Sequence, residues 1–99
     1  MNLYLLTQDE VRGFDSFDAA VVAAESPEDA RLIHPCGWVT HVTNDHWMGT
    51  FSDEYRKGEE HPTFGDDWPD YVDIDCIKVE ELGPTHKERG VILASFNAG

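Results

Sequence analysis

The chain has 99 residues, 40% of them apolar and 11% aromatic, and carries 20 Asp plus Glu against 7 Lys plus Arg, a formal net charge of −13. That length suits one small domain with one core, spanning 1–99. The charge argues against general affinity for nucleic acid or an anionic membrane, since each needs a net positive surface, and the aromatic share argues against a disordered chain. Three kinds of partner remain: a basic protein, a metal, or a small ligand held by a local cationic pocket. A chain this short buries a modest share of its unfolded surface, so self-association is one way to add burial.

The first ten residues, Met1 to Glu10, contain no basic region and no apolar run of signal-peptide length. No segment approaches the apolar length that spans a bilayer. Cys36 and Cys76 lie far apart and form no CxxC motif. A reducing cytoplasm, with no disulfide framework, is therefore the expected setting.

In chain order, residues 2–7 are rich in Leu and Tyr and read as an opening strand. Gln8 to Asp18 is a loop containing Gly13. Ala19 to Ala24 is continuously apolar, which suits a strand buried on both faces, and the two strands pair most simply as an antiparallel hairpin. A helix is expected over residues 26–34. Ser26 caps it, Pro27 takes the first helical position, and Glu28 and Asp29 place negative charge in its first turn. Ala30 and Ile33 would face the sheet, with Leu32 a further candidate, and Pro35 stops the helix by His34.

Thr40 to Thr43 favours a strand, with a turn at Asn44-Asp45. The segment from about 44 to 71 is weakly patterned and acidic, and reads as an irregular insertion with one short helical turn near 52–55. Val72 to Leu82 alternates apolar and charged residues, which predicts a strand with one wet face and a bulge at Cys76-Ile77. Gly83-Pro84 turns the chain, and Val91 to Phe96 closes it as a last strand. The expected fold is α+β: a small antiparallel β-sheet with one helix packed on a face. Long crossover helices between strands are absent, which excludes a parallel doubly wound architecture.

Candidate chemistry is sparse. His34, Cys36, His41, His46, His61 and His86 with Asp45 look like a ligand set on paper, but their spacings match no zinc finger or ribbon. No metal and no cofactor is therefore expected. Ser16, Ser26, Ser52 and Ser95 lack a nucleophile-elbow context, Cys36 follows a proline, and no glycine-rich phosphate loop is present. These features point to a binding protein and not to an enzyme.

Eleven of the twenty acidic residues lie between Asp53 and Glu81, interleaved with or flanked by Trp47, Phe51, Tyr55, Phe64, Trp68 and Tyr71. Charge runs of this kind are usually a solvated face. They also allow an alternative, an acidic inhibitor that mimics nucleic acid on a basic host defence protein, with aromatics as interface anchors. Only Arg56, Lys57 and Lys78 offset them; the remaining cations lie elsewhere, Arg12 in the first loop, Arg31 near the helix end, Lys87 and Arg89 before the last strand. If these places converge they form a cationic pocket able to grip phosphate. Phe14, Phe17 or Phe96 could stack on a base there.

Four segments carry a resemblance: Phe14 to Glu25, Glu28 to Pro35, Ile77 to Gly83, and Gly90 to Gly99 with its closing Ala94-Ser95-Phe96-Asn97-Ala98-Gly99. Together they cover somewhat over a third of the chain, and they resemble phage- and prophage-encoded Thoeris anti-defence sponge proteins. Members of that family sequester cyclic ADP-ribose-type signals and so keep a host immune effector inactive. The resemblance implies a non-enzymatic homo-oligomer in the host bacterial cytoplasm, with a cyclic nucleotide held where protomers meet. It places Arg31 and Arg89 on phosphate or ribose and Phe96 and Asn97 near the base. With Arg12 and Phe14 from the first loop these make up the expected ligand-binding set. The segment from Trp38 to Tyr71 departs from the family by its length and acidity.

Overall fold

The computed structural model describes residues 1–11, 16–36, 39–43, 45–49, 61–62 and 67–97. Seven strands, one α-helix and one 3₁₀ helix make up these residues. They are β1 (Asn2–Thr7), β2 (Ser16–Ala24), α1 (Pro27–Arg31), β3 (Val39–Thr43), β4 (His46–Gly49), β5 (His61–Pro62), the 3₁₀ helix Tyr71–Cys76, β6 (Lys78–Pro84) and β7 (Gly90–Asn97). The strands form two antiparallel sheets, a four-stranded one in the order β6-β1-β2-β7 and a three-stranded one in the order β3-β4-β5. The architecture is α+β with a small antiparallel sheet and a helix on one face, as the sequence predicts.

The β1–β2 hairpin forms with Asn2 opposite Ala24 and Thr7 opposite Ala19. Residues of one parity face the core: Tyr4 and Leu6 from β1, Ala20, Val22 and Ala24 from β2. On the other face of β2, Ala23 is buried but Ala19 and Val21 are only half-buried. The expectation of burial on both faces therefore holds for part of the strand, because helix and second sheet cover one side alone.

α1 packs on β1, β2 and β6. Ser26 is its N-cap, with Oγ accepting from Asp29 N at 3.0 Å. It ends at Arg31, shorter than the expected 26–34. Leu32 N then donates to Asp29 O and Ile33 N to Ala30 O, i→i−3 bonds that tighten the last turn and satisfy helix-end carbonyls. Ala30 and Ile33 are buried as expected, and Leu32 is exposed.

The predicted strand over Val72–Leu82 is only half correct. Tyr71–Cys76 is a 3₁₀ helix and β6 begins at Lys78. Asp73 N donates to Asp70 O and Ile77 N to Ile74 O. The three-residue period turns Tyr71, Ile74 and Ile77 toward the core and leaves Val72 exposed. The bulge is not at Cys76-Ile77 but where β6 pairs with β1 between Leu3 and Tyr4.

The segment 44–71 supplies more structure than an irregular insertion would. Asp45 takes a left-handed φ of 61° in the turn before β4, a conformation Asp tolerates. β4 and β5 pair within the segment, and Trp47 and Trp68 are buried in the same core as Tyr4, Leu6 and Val22. Trp47 Nε1 donates to Pro69 O at 2.9 Å. The helical turn expected near 52–55 lies outside the described residues. Among the described residues no helix is long and apolar enough to cross a membrane.

Candidate ligand-binding site

Three elements meet beside the core: the turn after α1, the β3–β4 hairpin, and the start of β7. Between them lies a cavity of about 260 Å³ whose walls include His34, Thr40, His41, Trp47, Arg89 and Val91. Pro35 and the i→i−3 turn bring His34 back over the core, β3 presents Thr40 and His41, and β7 delivers Arg89 just ahead of its first residue.

Arg89 is the only arginine or lysine among the described lining residues. Its Nε donates to both carboxylate oxygens of Asp29, at 2.9 and 3.0 Å, and its Nη2 lies 2.9 Å from Asp29 Oδ1. The same Asp29 accepts from Glu25 N at 3.1 Å. One edge of the guanidinium is thus fixed to the helix. A guanidinium has five donors in a planar fork, so the Nη1 side retains donors for an anion.

His34 is buried, and its Nδ1 accepts from Cys36 N at 3.0 Å. That bond assigns the ring proton to Nε2 in the neutral form. Burial holds its pKa down to about 4. The Asp67 carboxylate, 4.0 Å from Nε2, pulls the other way, but it is too distant for a hydrogen bond and partly solvated, so desolvation prevails. The ring stands edge-on to Trp47 with centroids 5.1 Å apart. At the mouth, Thr40 Oγ1 and His41 Nδ1 are 2.9 Å apart. The neutral imidazole of His34, the ring and hydroxyl of His41 and Thr40, one cation and apolar walls suit hydrogen bonding to an oxygen-rich anionic ligand.

The six residues expected to bind ligand are not brought together in one chain. Arg89 lines the cavity. Arg31 does not: it is half-buried, and its Nε donates to Ile77 O at 3.1 Å, tying the helix end to the start of β6. Phe96 lies at the far end of β7, roughly 20 Å from Arg89 at the rise of an extended strand, and packs on Phe17 with ring centroids 4.8 Å apart. Asn97 pairs with Ser16 at that same far end. Arg12 and Phe14 lie outside the described residues. The helix end and the last strand do meet, but through Asp29 and not Arg31.

Thr40, His41 and Trp47 are lining residues that the ligand reading of the sequence missed. The histidines had stood out only as a metal set, and among the described residues no group of three or more His, Cys, Asp or Glu is placed to hold a metal ion. Trp47 and Trp68, offered as surface anchors of an acidic mimic, are core residues, and Tyr71 is half-buried. Phe51, Tyr55 and Phe64 lie outside the described residues. Cys76 sits apart, beside Thr7 and Asp9. Burial pushes its thiol pKa up, and Glu10, Asp73 and Asp9 push the same way.

Compared with known proteins, the chain matches no family model, no curated protein and no solved structure.

Proposed function

We propose that the chain is a non-enzymatic binding protein that takes up a cyclic ADP-ribose-type signal in a bacterial host and withholds it from an immune effector. The observation that carries this reading is the cavity beside α1, where a helix-anchored Arg89 shares the walls with His34, His41 and an apolar surface. A phosphate would sit on the open Nη1 side of Arg89, ribose hydroxyls at Thr40 and His41, and an apolar edge against Val39 and Val91. The last of the segments that carry the family resemblance includes β7, which begins at the residue after Arg89.

The cavity's size limits what one chain holds. About 260 Å³ is below the roughly 300–1,000 Å³ of sites that enclose a drug-sized ligand, so a single chain takes one phosphoribose portion and leaves the rest of the ligand outside. The acidic-mimic reading has less support, because two of its proposed anchors are interior.

Titration calorimetry with cyclic ADP-ribose isomers tests the proposal. The expected result is saturable heat that is lost in Arg89→Ala and retained in Arg31→Ala, with ligand recovered chemically unchanged. Absence of heat with every isomer overturns it, and a salt-sensitive complex with a basic host protein would then favour mimicry. Ligand recovered in altered form would make the chain an enzyme.

A further inference from the structure

Taking the cavity beside α1 as the ligand site proposed above, we infer that it selects its ligand by the charge on one phosphate and is indifferent to ring closure. It takes a ribose phosphate whose phosphate is esterified a second time and so carries a single negative charge. Linear and cyclic molecules of that kind enter alike, and a terminal, doubly charged phosphate is refused.

Charge balance at Arg89 sets the preference. Of the five donors of a guanidinium, Nε–H and one hydrogen of Nη2 are spent on Asp29, and the others remain for a ligand. Those donors come without a full positive charge, because the Asp29 carboxylate lies against the same group at 2.9 Å. No lysine or second arginine among the described lining residues adds to it. His34 adds none either, since burial holds its imidazole neutral, and the Asp67 carboxylate, 4.0 Å from His34 Nε2, is negative. The chain as a whole carries −13, a field that opposes every further negative charge. Attraction to one cation grows in proportion to the ligand's charge, whereas the cost of removing an ion from water grows with its square. A half-neutralised arginine therefore offsets the desolvation of a monoanion better than that of a dianion.

Depth accounts for the indifference to ring closure. Arg89 and Thr40 are exposed and His41 half-buried, while Ile33, His34 and Trp47 are buried. The groups for phosphate and ribose thus ring the mouth, above a floor that is apolar apart from one imidazole. A phosphate held at Arg89 stands at the rim, and its second ester bond leads outward into solvent. About 260 Å³ has room for one sugar beneath that rim and none for a second nucleoside. Whatever follows the outward bond, a free end or a chain that returns to close a ring, lies beyond the reach of these side chains.

Titration calorimetry near pH 8 tests this with adenosine 5′-monophosphate, its 5′-methyl ester, ADP-ribose and a cyclic ADP-ribose isomer. At about pH 8 the terminal phosphate of the monophosphate is a dianion, its second pKa being about 6. The methyl ester keeps base and sugar but carries one charge. The methyl ester and ADP-ribose are expected to bind with an affinity comparable to that of the cyclic isomer, and the monophosphate at least about tenfold more weakly. Asp29→Asn keeps an acceptor oxygen but removes the counter-charge. It should close the gap between monophosphate and methyl ester while the ester still binds; a gap set by size alone would stay. Should that variant fail to fold, the wild-type comparison decides by itself. A monophosphate that binds wild type as tightly as its ester, or a gap that persists in Asp29→Asn, overturns the charge selection. ADP-ribose that gives no heat where the cyclic isomer does overturns the indifference to ring closure and leaves the proposed function standing. Binding of the methyl ester and ADP-ribose with no binding of the cyclic isomer removes the proposed function alone. Silence from every probe removes both.

Discussion

Asp29 and Arg89, sixty positions apart, are joined by two donor nitrogens on one carboxylate, and that same carboxylate also accepts the amide of Glu25. The contact holds the start of β7 against α1 and fixes one edge of the cavity's cation. Arg89 is substantially exposed, so solvent screening limits the pair's contribution to stability. A double-mutant cycle of Asp29→Ala and Arg89→Ala in urea should give a coupling energy of about 0.2–1 kcal/mol. Asp29→Asn should cost less than Asp29→Ala, because an amide oxygen can still accept from Glu25.

His34 should make stability fall with acidity. Its folded pKa of about 4 lies below the ordinary 6.5, so between those values the unfolded chain binds a proton that the folded chain refuses. Stability is therefore lost as pH drops from about 6.5 toward 4, by up to about 3 kcal/mol if the whole shift is realised. Asn at this position can accept from Cys36 N without titrating. The difference between wild type and His34→Asn, followed by urea midpoints from pH 7 to 4, should carry this slope, while the carboxylates common to both cancel. A pH-independent difference would show that His34 is not buried neutral.

The two buried tryptophans should respond differently to the same substitution. Trp47 donates to Pro69 O, whereas Trp68, 1% exposed, has no partner for its Nε1 among the described residues. Trp47→Phe leaves a buried carbonyl without its donor, at about 1–3 kcal/mol beyond lost packing. Trp68→Phe removes an unpaired donor and loses packing only. Thermal denaturation should place Trp68→Phe closer to wild type.

Gly90 should not tolerate a side chain, for reasons of backbone and not of space. Its φ is +146°, and nothing lies within 4 Å of where a Cβ would project. Gly90→Ala should cost about 1–3 kcal/mol in urea unfolding through strain alone, and should shift Arg89, the preceding residue.

Ser26→Ala should cost about 1 kcal/mol in the same assay. The helix it caps has five residues, too few to form without its cap and the packing of Ala30.

Much of the fold was legible from local pattern. The β1–β2 hairpin, the Ser26-Pro27 helix start, the turn at Asp45 and the closing strand each follow from short-range stereochemistry, and the structure contains each of them. The 3₁₀ helix was misread because Val72, Ile74 and Cys76 satisfy a two-residue period while Tyr71, Ile74 and Ile77 satisfy a three-residue one. Only packing against the core decides between the two. The acidic stretch was read as surface because its carboxylates dominate its composition, yet Trp47 and Trp68 within it fill the core.

The charge of −13, with the scarcity of cations, was fixed by sequence alone, and so was the concentration of that charge away from the last strand. Which cation could face a ligand was decided only in three dimensions. Arg31 and Arg89 are equivalent as residue types, but Arg31, the last residue of α1, is turned to the start of β6, where the carbonyl of Ile77 engages it. Arg89 enters because antiparallel pairing of β7 on β2 returns the chain to the helix, where Asp29 receives it. Such convergence joins segments sixty residues apart, and no local propensity encodes it; it follows from how the sheet closes over its core.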